Sequence, residues 1–158
     1  MKRKFYFRDA RGYTLAELLV VLCISGMLLA LGGIGFGKVA ALEEQAAYNR
    51  ECEMVLNEVL YHRDRTIMAG TAHGDRVRFF ENRVYFGIYD AAKNDYVYTS
   101  AALNHTKLTG YLRGKTLEFN PEGTVNIGGN LVFAGQTRKK RTLIVQIGAG
   151  RIYLRDEN

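Results

Sequence analysis

Glu17 is the first residue whose chemistry needs accounting for. It borders Leu18–Gly37, twenty consecutive residues without a charge. A carboxylate moved to mid-bilayer costs on the order of 2.5–3.5 kcal/mol, so it needs a cation close by unless it snorkels to the interface. A second candidate chemistry is cationic. Arg138, Lys139, Lys140 and Arg141 lie between two strand-like runs. If Ile152 and Leu154 face inward, Arg151, Tyr153 and Arg155 share the outward face of the last strand. Between Glu122 and Asp156 there are six basic residues and no acidic one. Cations beside an exposed aromatic can hold phosphates and stack a base. The plainer reading is a solvated loop beside a charge-protected edge strand.

Other reactive types are scattered. Ser25 and Ser100 are the only serines, and neither sits in a Gly-x-Ser-x-Gly elbow. His62, His73 and His105 show no His-x-x-x-His spacing and no adjacent Cys pair, and each reads as a surface or hydrogen-bonded residue. Cys23 and Cys52 are too few for a disulfide framework or a four-ligand zinc site. Gly32–Lys38 fills seven positions of a phosphate-binding loop. Val39, however, stands where a hydroxyl must hold magnesium, and an apolar run rather than a buried strand precedes it. The chain is therefore expected not to be an enzyme, with no cofactor and no metal.

The elements that position these residues follow from length and pattern. The chain has 158 residues, enough for one modest core, with a net charge of +6. Hydrophobic residues at 47% and charged residues at 24% exclude wholesale disorder. Lys2, Arg3, Lys4, Arg8 and Arg11 precede the uncharged run, and twenty helical residues span roughly 30 Å, one bilayer core. The positive flank predicts a cytoplasmic N-terminus and an exported C-terminal side. The segment is then a membrane anchor or a secretory signal, and Ala30-Leu31-Gly32 keeps conventional signal-peptidase cleavage as an alternative.

Arg11-Gly12-Tyr13-Thr14-Leu15-Ala16-Glu17-Leu18-Leu19-Val20-Val21 resembles the class III leader of type IV pilins and pseudopilins, with Tyr13 in place of the usual Phe. The resemblance implies a leader at 1–12, cleavage by prepilin peptidase between Gly12 and Tyr13, and methylation of the new Tyr13 amine. It implies that Thr14, Leu15 and Glu17 serve assembly, with Glu17 near the Tyr13 amine of its own or a neighbouring subunit. Such a pair in low dielectric would penalise wrong registers. The helix would act first as an anchor and then as a filament core. Gly26, Gly32, Gly33, Gly35 and Gly37 should soften it, at about 1 kcal/mol each relative to Ala.

Beyond the anchor, residues 38–69 keep a helical period. Cys52, Val55, Leu56, Val59, Leu60 and Ile67 form an apolar stripe, and most of the glutamates lie off it. Cys52 is expected to bury there. After Gly70 the period changes to two. Runs at 76–80, 83–89, 96–99, 116–119, 124–127, 130–134, 142–147 and 151–155 predict short antiparallel strands in two packed sheets. The fold expected is α+β: a long N-terminal helix, with a membrane half (13–37) and an amphipathic half (38–69), packed on a β-sandwich-like head (70–158). The Asn120-Pro-Glu-Gly123 turn and the closing Gly150-Arg-Ile-Tyr-Leu154 resemble GspH/FimT-type minor pseudopilins of type II secretion, type IV pili and competence pili.

That resemblance implies a structural subunit whose partners are prepilin peptidase, other pilins in a helical filament and the inner or cytoplasmic membrane. It places the protein as a single-pass membrane protein with an exported head, later in a pilus or pseudopilus. The alternative is a DNA-binding minor pilin for DNA uptake, with DNA as partner. Some FimT-like pilins use a Gly-Arg-x-Arg motif for this. Here the second arginine after Gly150-Arg151 is displaced to Arg155. The leader holds five basic residues against Asp9, so processing would remove four of the six net positive charges and leave +2.

Overall fold

The computed structural model describes residues 14–70, 73–135, 140–148 and 150–157, the side chains of 31–37 excepted. The order is one helix, α1 (Leu15–Ala69), then β1 (Arg76–Phe79), β2 (Arg83–Asp90), β3 (Asp95–Ala102), β4 (Lys107–Thr109), β5 (Thr116–Glu118), β6 (Gly129–Ala134), β7 (Lys140–Val145) and β8 (Ile152–Glu157). Two compact units divide the chain, Met1–Leu42 and Glu43–Asn158.

In the first unit, every residue from Thr14 to Ala30 is exposed, including Leu15, Leu22 and Leu29 at 81%, 70% and 78%. The expected membrane half is not met. Among the described residues no helix is long and apolar enough to cross a membrane. The apolar stretch at 15–30 also carries Glu17 in the first turn of the helix. From residue 38 onward Lys38, Glu43, Glu44, Arg50, Glu51 and Glu53 break any apolar run. The α+β expectation built on a long membrane helix is corrected accordingly, and with it the single-pass inner-membrane location.

The second unit has one core. Along α1, Tyr48, Cys52, Val55, Val59, His62 and Thr66 are buried at alternating spacings of four and three. This stripe differs from the expected one. Leu56 and Leu60 are only partly buried, and Ile67 is 43% exposed. Three polar or mixed residues hold core positions that an apolar pattern leaves blank. The stripe shares its cluster with Val77, Phe79, Val84, Phe86, Leu117 and Phe119 from one side and Leu108, Leu131, Phe133, Leu143, Val145 and Ile152 from the other.

These residues come from two four-stranded antiparallel sheets, ordered β3-β2-β1-β5 and β4-β6-β7-β8. The 76–80/83–89 hairpin forms as expected, with Phe79 opposite Val84. The expected strand at 124–127 does not form. Only a Phe119–Val125 bridge is made. The Asn126 side chain takes over the ladder's role, accepting from the Glu118 amide at 2.8 Å and donating to the Thr116 carbonyl at 3.3 Å. Strand β5 instead pairs with β1. Gly74 is required where β1 begins, because a Cβ there would collide with the Phe119 carbonyl oxygen.

Candidate functional site

The residues expected to act lie in separate places. Gly12 and Tyr13, like the whole leader 1–12, lie outside the described residues, as do Arg138 and Lys139. Thr14 and Glu17 meet at the start of α1 as a capping box. The Glu17 amide donates to Thr14 Oγ1 at 3.3 Å, while Glu17 Oε2 accepts from the Thr14 amide at 2.8 Å and from its hydroxyl at 3.1 Å. The carboxylate expected beside the Tyr13 amine, which lies outside the described residues, is held here by its own helix terminus, where the helix dipole also favours negative charge. Leu15, the first helical residue, points into solvent.

The C-terminal basic residues do not make one cationic face. In the β7–β8 ladder Lys140 pairs with Glu157, Arg141 with Asp156 and Ile144 with Tyr153. Alternation puts Lys140, Tyr153, Arg155 and Glu157 on the outer face and Arg141 with Asp156 on the other. Arg141 donates from Nε to Asp156 Oδ1 and from Nη1 to Glu53 Oε1, both at 2.7 Å. Burial acts against the charge of Arg141, but these two carboxylates outweigh it and raise its pKa. Glu157 accepts from Thr142 Oγ1 at 2.8 Å and stands 3.9 Å from Arg155. Arg151 and Tyr153 are exposed. Acidic groups from α1 and from the last residues of β8 therefore answer a stretch that reads as purely basic along the chain.

Behind Arg141, the Tyr48 hydroxyl donates to the Phe133 carbonyl at 3.0 Å and accepts from the Arg141 amide at 2.9 Å. Burial pushes its pKa up to about 12. Burial also pushes the neighbouring Cys52 thiol up to about 12, which leaves too little thiolate for nucleophilic chemistry.

Sequence patterns missed one polar constellation. His62 Nδ1 lies 2.7 Å from Asp75 Oδ2, with each side chain only 3% exposed. Arg65 grips the same carboxylate with two hydrogen bonds of 2.7 Å, and the Asp75 amide donates to Thr66 Oγ1 at 3.0 Å. An ionised carboxylate only accepts, so the His62 tautomer carries its proton on Nδ1. The His62 ring stacks on Phe86 at 5.2 Å with planes 5° apart. A carboxylate–imidazole pair is a general-base arrangement in principle, but this one is sealed from solvent and binds the end of α1 to the start of β1. The only available signal was Asp75 itself, an acidic residue just before a strand whose partners lie ten and thirteen residues earlier.

Among the described residues no group of three His, Cys, Asp or Glu side chains could hold a metal ion. No protein-family model, curated protein or solved structure matches this chain.

Proposed function

We propose that the chain is a filament subunit of the minor pseudopilin kind. Its precursor is cut between Gly12 and Tyr13 by a prepilin peptidase, which then methylates the Tyr13 amine. The observation that carries this reading is the first unit. A helix that beyond Glu17 is uncharged around its circumference, with all its described residues from 15 to 30 exposed, needs a covering surface. Equivalent helices of neighbouring subunits supply that surface in a packed filament core. The motif of residues 11–17 adds support, since cleavage there leaves only Tyr13 and the Thr14 cap ahead of the helix. The β-rich second unit then decorates the filament, a structural role in a secretion pseudopilus or a type IV or competence pilus. DNA capture through residues 138–155 lacks comparable support, because Arg141 is committed to Glu53 and Asp156.

Mass spectrometry of the mature protein from cells that hold the peptidase tests the reading. We expect a chain beginning at methylated Tyr13. Any other N-terminus overturns the assignment.

A further inference from the structure

The outer face of the β3-β2-β1-β5 sheet carries an aromatic and cationic cleft that no function discussed above uses. It has a volume of about 530 Å³ and is lined by Arg78, Phe80, Asn82, Arg83, Tyr85 and Tyr98. The ladder places Gly87 opposite Tyr98 and Arg78 opposite Tyr85. Gly87 has no Cβ, and one built there would lie 2.7 Å from the Tyr98 ring. The ring therefore lies over the glycine, held against the sheet while 53% of the residue stays open to solvent. Phe80 is 41% exposed and meets Tyr85 edge to face at 5.4 Å. Tyr98 continues into a row with Tyr96, at 6.1 Å.

The charges of this face point to the class of ligand. Arg76 is taken by Glu118 and by the Tyr96 ring, 4.0 Å away. Among the described residues, Arg78 bonds only the neutral Thr116 hydroxyl, through Nε at 3.1 Å, and Arg83 makes no ion pair. Glu81, which follows Phe80 in the chain, is turned to Lys107 at 3.1 Å and Arg113 at 4.0 Å. Two guanidiniums without carboxylates therefore flank open aromatic faces. An acidic peptide would use the cations but leave the ring faces unmatched. A duplex would offer phosphates with its bases already stacked. A single strand supplies both chemistries at once: phosphates for arginine and unstacked bases for aromatic rings on a sheet surface.

We propose that this face binds single-stranded nucleic acid, with bases stacked on Tyr98 and Phe80 and the adjoining phosphates on Arg78 and Arg83. The site is independent of the filament reading and of the C-terminal basic stretch.

The test is fluorescence anisotropy of the full-length chain in nonionic detergent with a labelled oligothymidylate of about twelve nucleotides, within the usual span of such sites. Saturable binding is expected. Tyr98→Ala should weaken it about tenfold or more, and Tyr98→Phe, which keeps the ring, should restore it. Arg78→Gln with Arg83→Gln should weaken binding and lower the slope of log affinity against log salt by about 1.4 for two phosphate contacts. Lys140→Gln with Arg155→Gln should leave binding unchanged. Unlabelled duplex and polyglutamate should compete at least about tenfold less well than unlabelled oligothymidylate. Absence of saturable binding, wild-type affinity in Tyr98→Ala, equal competition by duplex or polyglutamate, or loss only in the Lys140/Arg155 variant would each overturn the proposal. N-terminal processing at Tyr13 is read separately and is unaffected by any of these outcomes.

Discussion

Asp75 shows how one side chain can tie two elements together. Burial works to raise its pKa, but the hydrogen bonds from Arg65 and His62 outweigh burial and hold the carboxyl below the ordinary value of 3.8. The sign of its pH dependence follows. A depressed folded value adds stability that is fully present above about pH 3.8 and is lost as pH falls through the lower folded value. Asp75→Asn should destabilise the second unit by about 2–4 kcal/mol near neutral pH, because it removes the charge facing Arg65 and His62. It should also flatten the fall in melting temperature between about pH 5 and pH 2. Thermal melts of both proteins across that range check both statements; parallel profiles would contradict them. Little of this was legible beforehand. His62 and Asp75 are thirteen residues apart, one on α1 and the other just before β1, and neither spacing nor composition pairs them. Glu53 and Arg141 meet across 88 residues, so the C-terminal stretch looks far more basic along the chain than in space.

At the scale of elements, local chemistry was readable where side-chain period and turn residues agreed. The β1–β2 hairpin and the β7–β8 pair fall close to the expected positions for that reason. The strand period misled at 124–127, where the Asn126 side chain replaces backbone pairing, and the sequence was silent where a strand is very short. Strand β4 has three residues with Leu108 as its only apolar one, too few to show a period. On α1, Tyr48, His62 and Thr66 fill core positions because their polar atoms find partners: the Phe133 carbonyl, Asp75 and the His62 carbonyl. A hydrophobicity pattern cannot anticipate that satisfaction. The Thr14–Glu17 box is the converse case, a threonine and a glutamate three apart ahead of an apolar run. Thr14→Ala should remove both of its side-chain bonds and lower the stability of the first helical turn by about 1 kcal/mol. Amide hydrogen exchange should quicken in residues 15–18 and stay unchanged in the β-strands. Unaltered exchange in the first turn would mean that the box does not stabilise the helix start.

For the whole molecule, the first unit's surface governs behaviour in solution. Residues 15–30 expose Leu18, Leu19, Val20, Val21, Leu22, Ile24, Met27, Leu28 and Leu29, far more contiguous apolar area than a monomer tolerates. Association through this helix is the expected state. Leu22→Glu places a charge on a residue 70% exposed, so it costs a free chain little but becomes costly once helices pack around it. Sedimentation should show the variant far less associated than the parent, with the melting of the second unit within about 0.5 kcal/mol of wild type. Equal association of the two would remove this helix as the contact.

The Tyr48 hydroxyl sits between the Phe133 carbonyl and the Arg141 amide, the last pair of the β6–β7 ladder before the chain passes from one strand to the other. The phenol works as a rivet at that end of the ladder. Register in this hairpin is therefore fixed from the helix side as well as along the ladder. Gly135 must stay small, since a Cβ would press on the Tyr48 ring at 2.6 Å. Helix and hairpin thus hold one another's alignment through a single phenol hydroxyl.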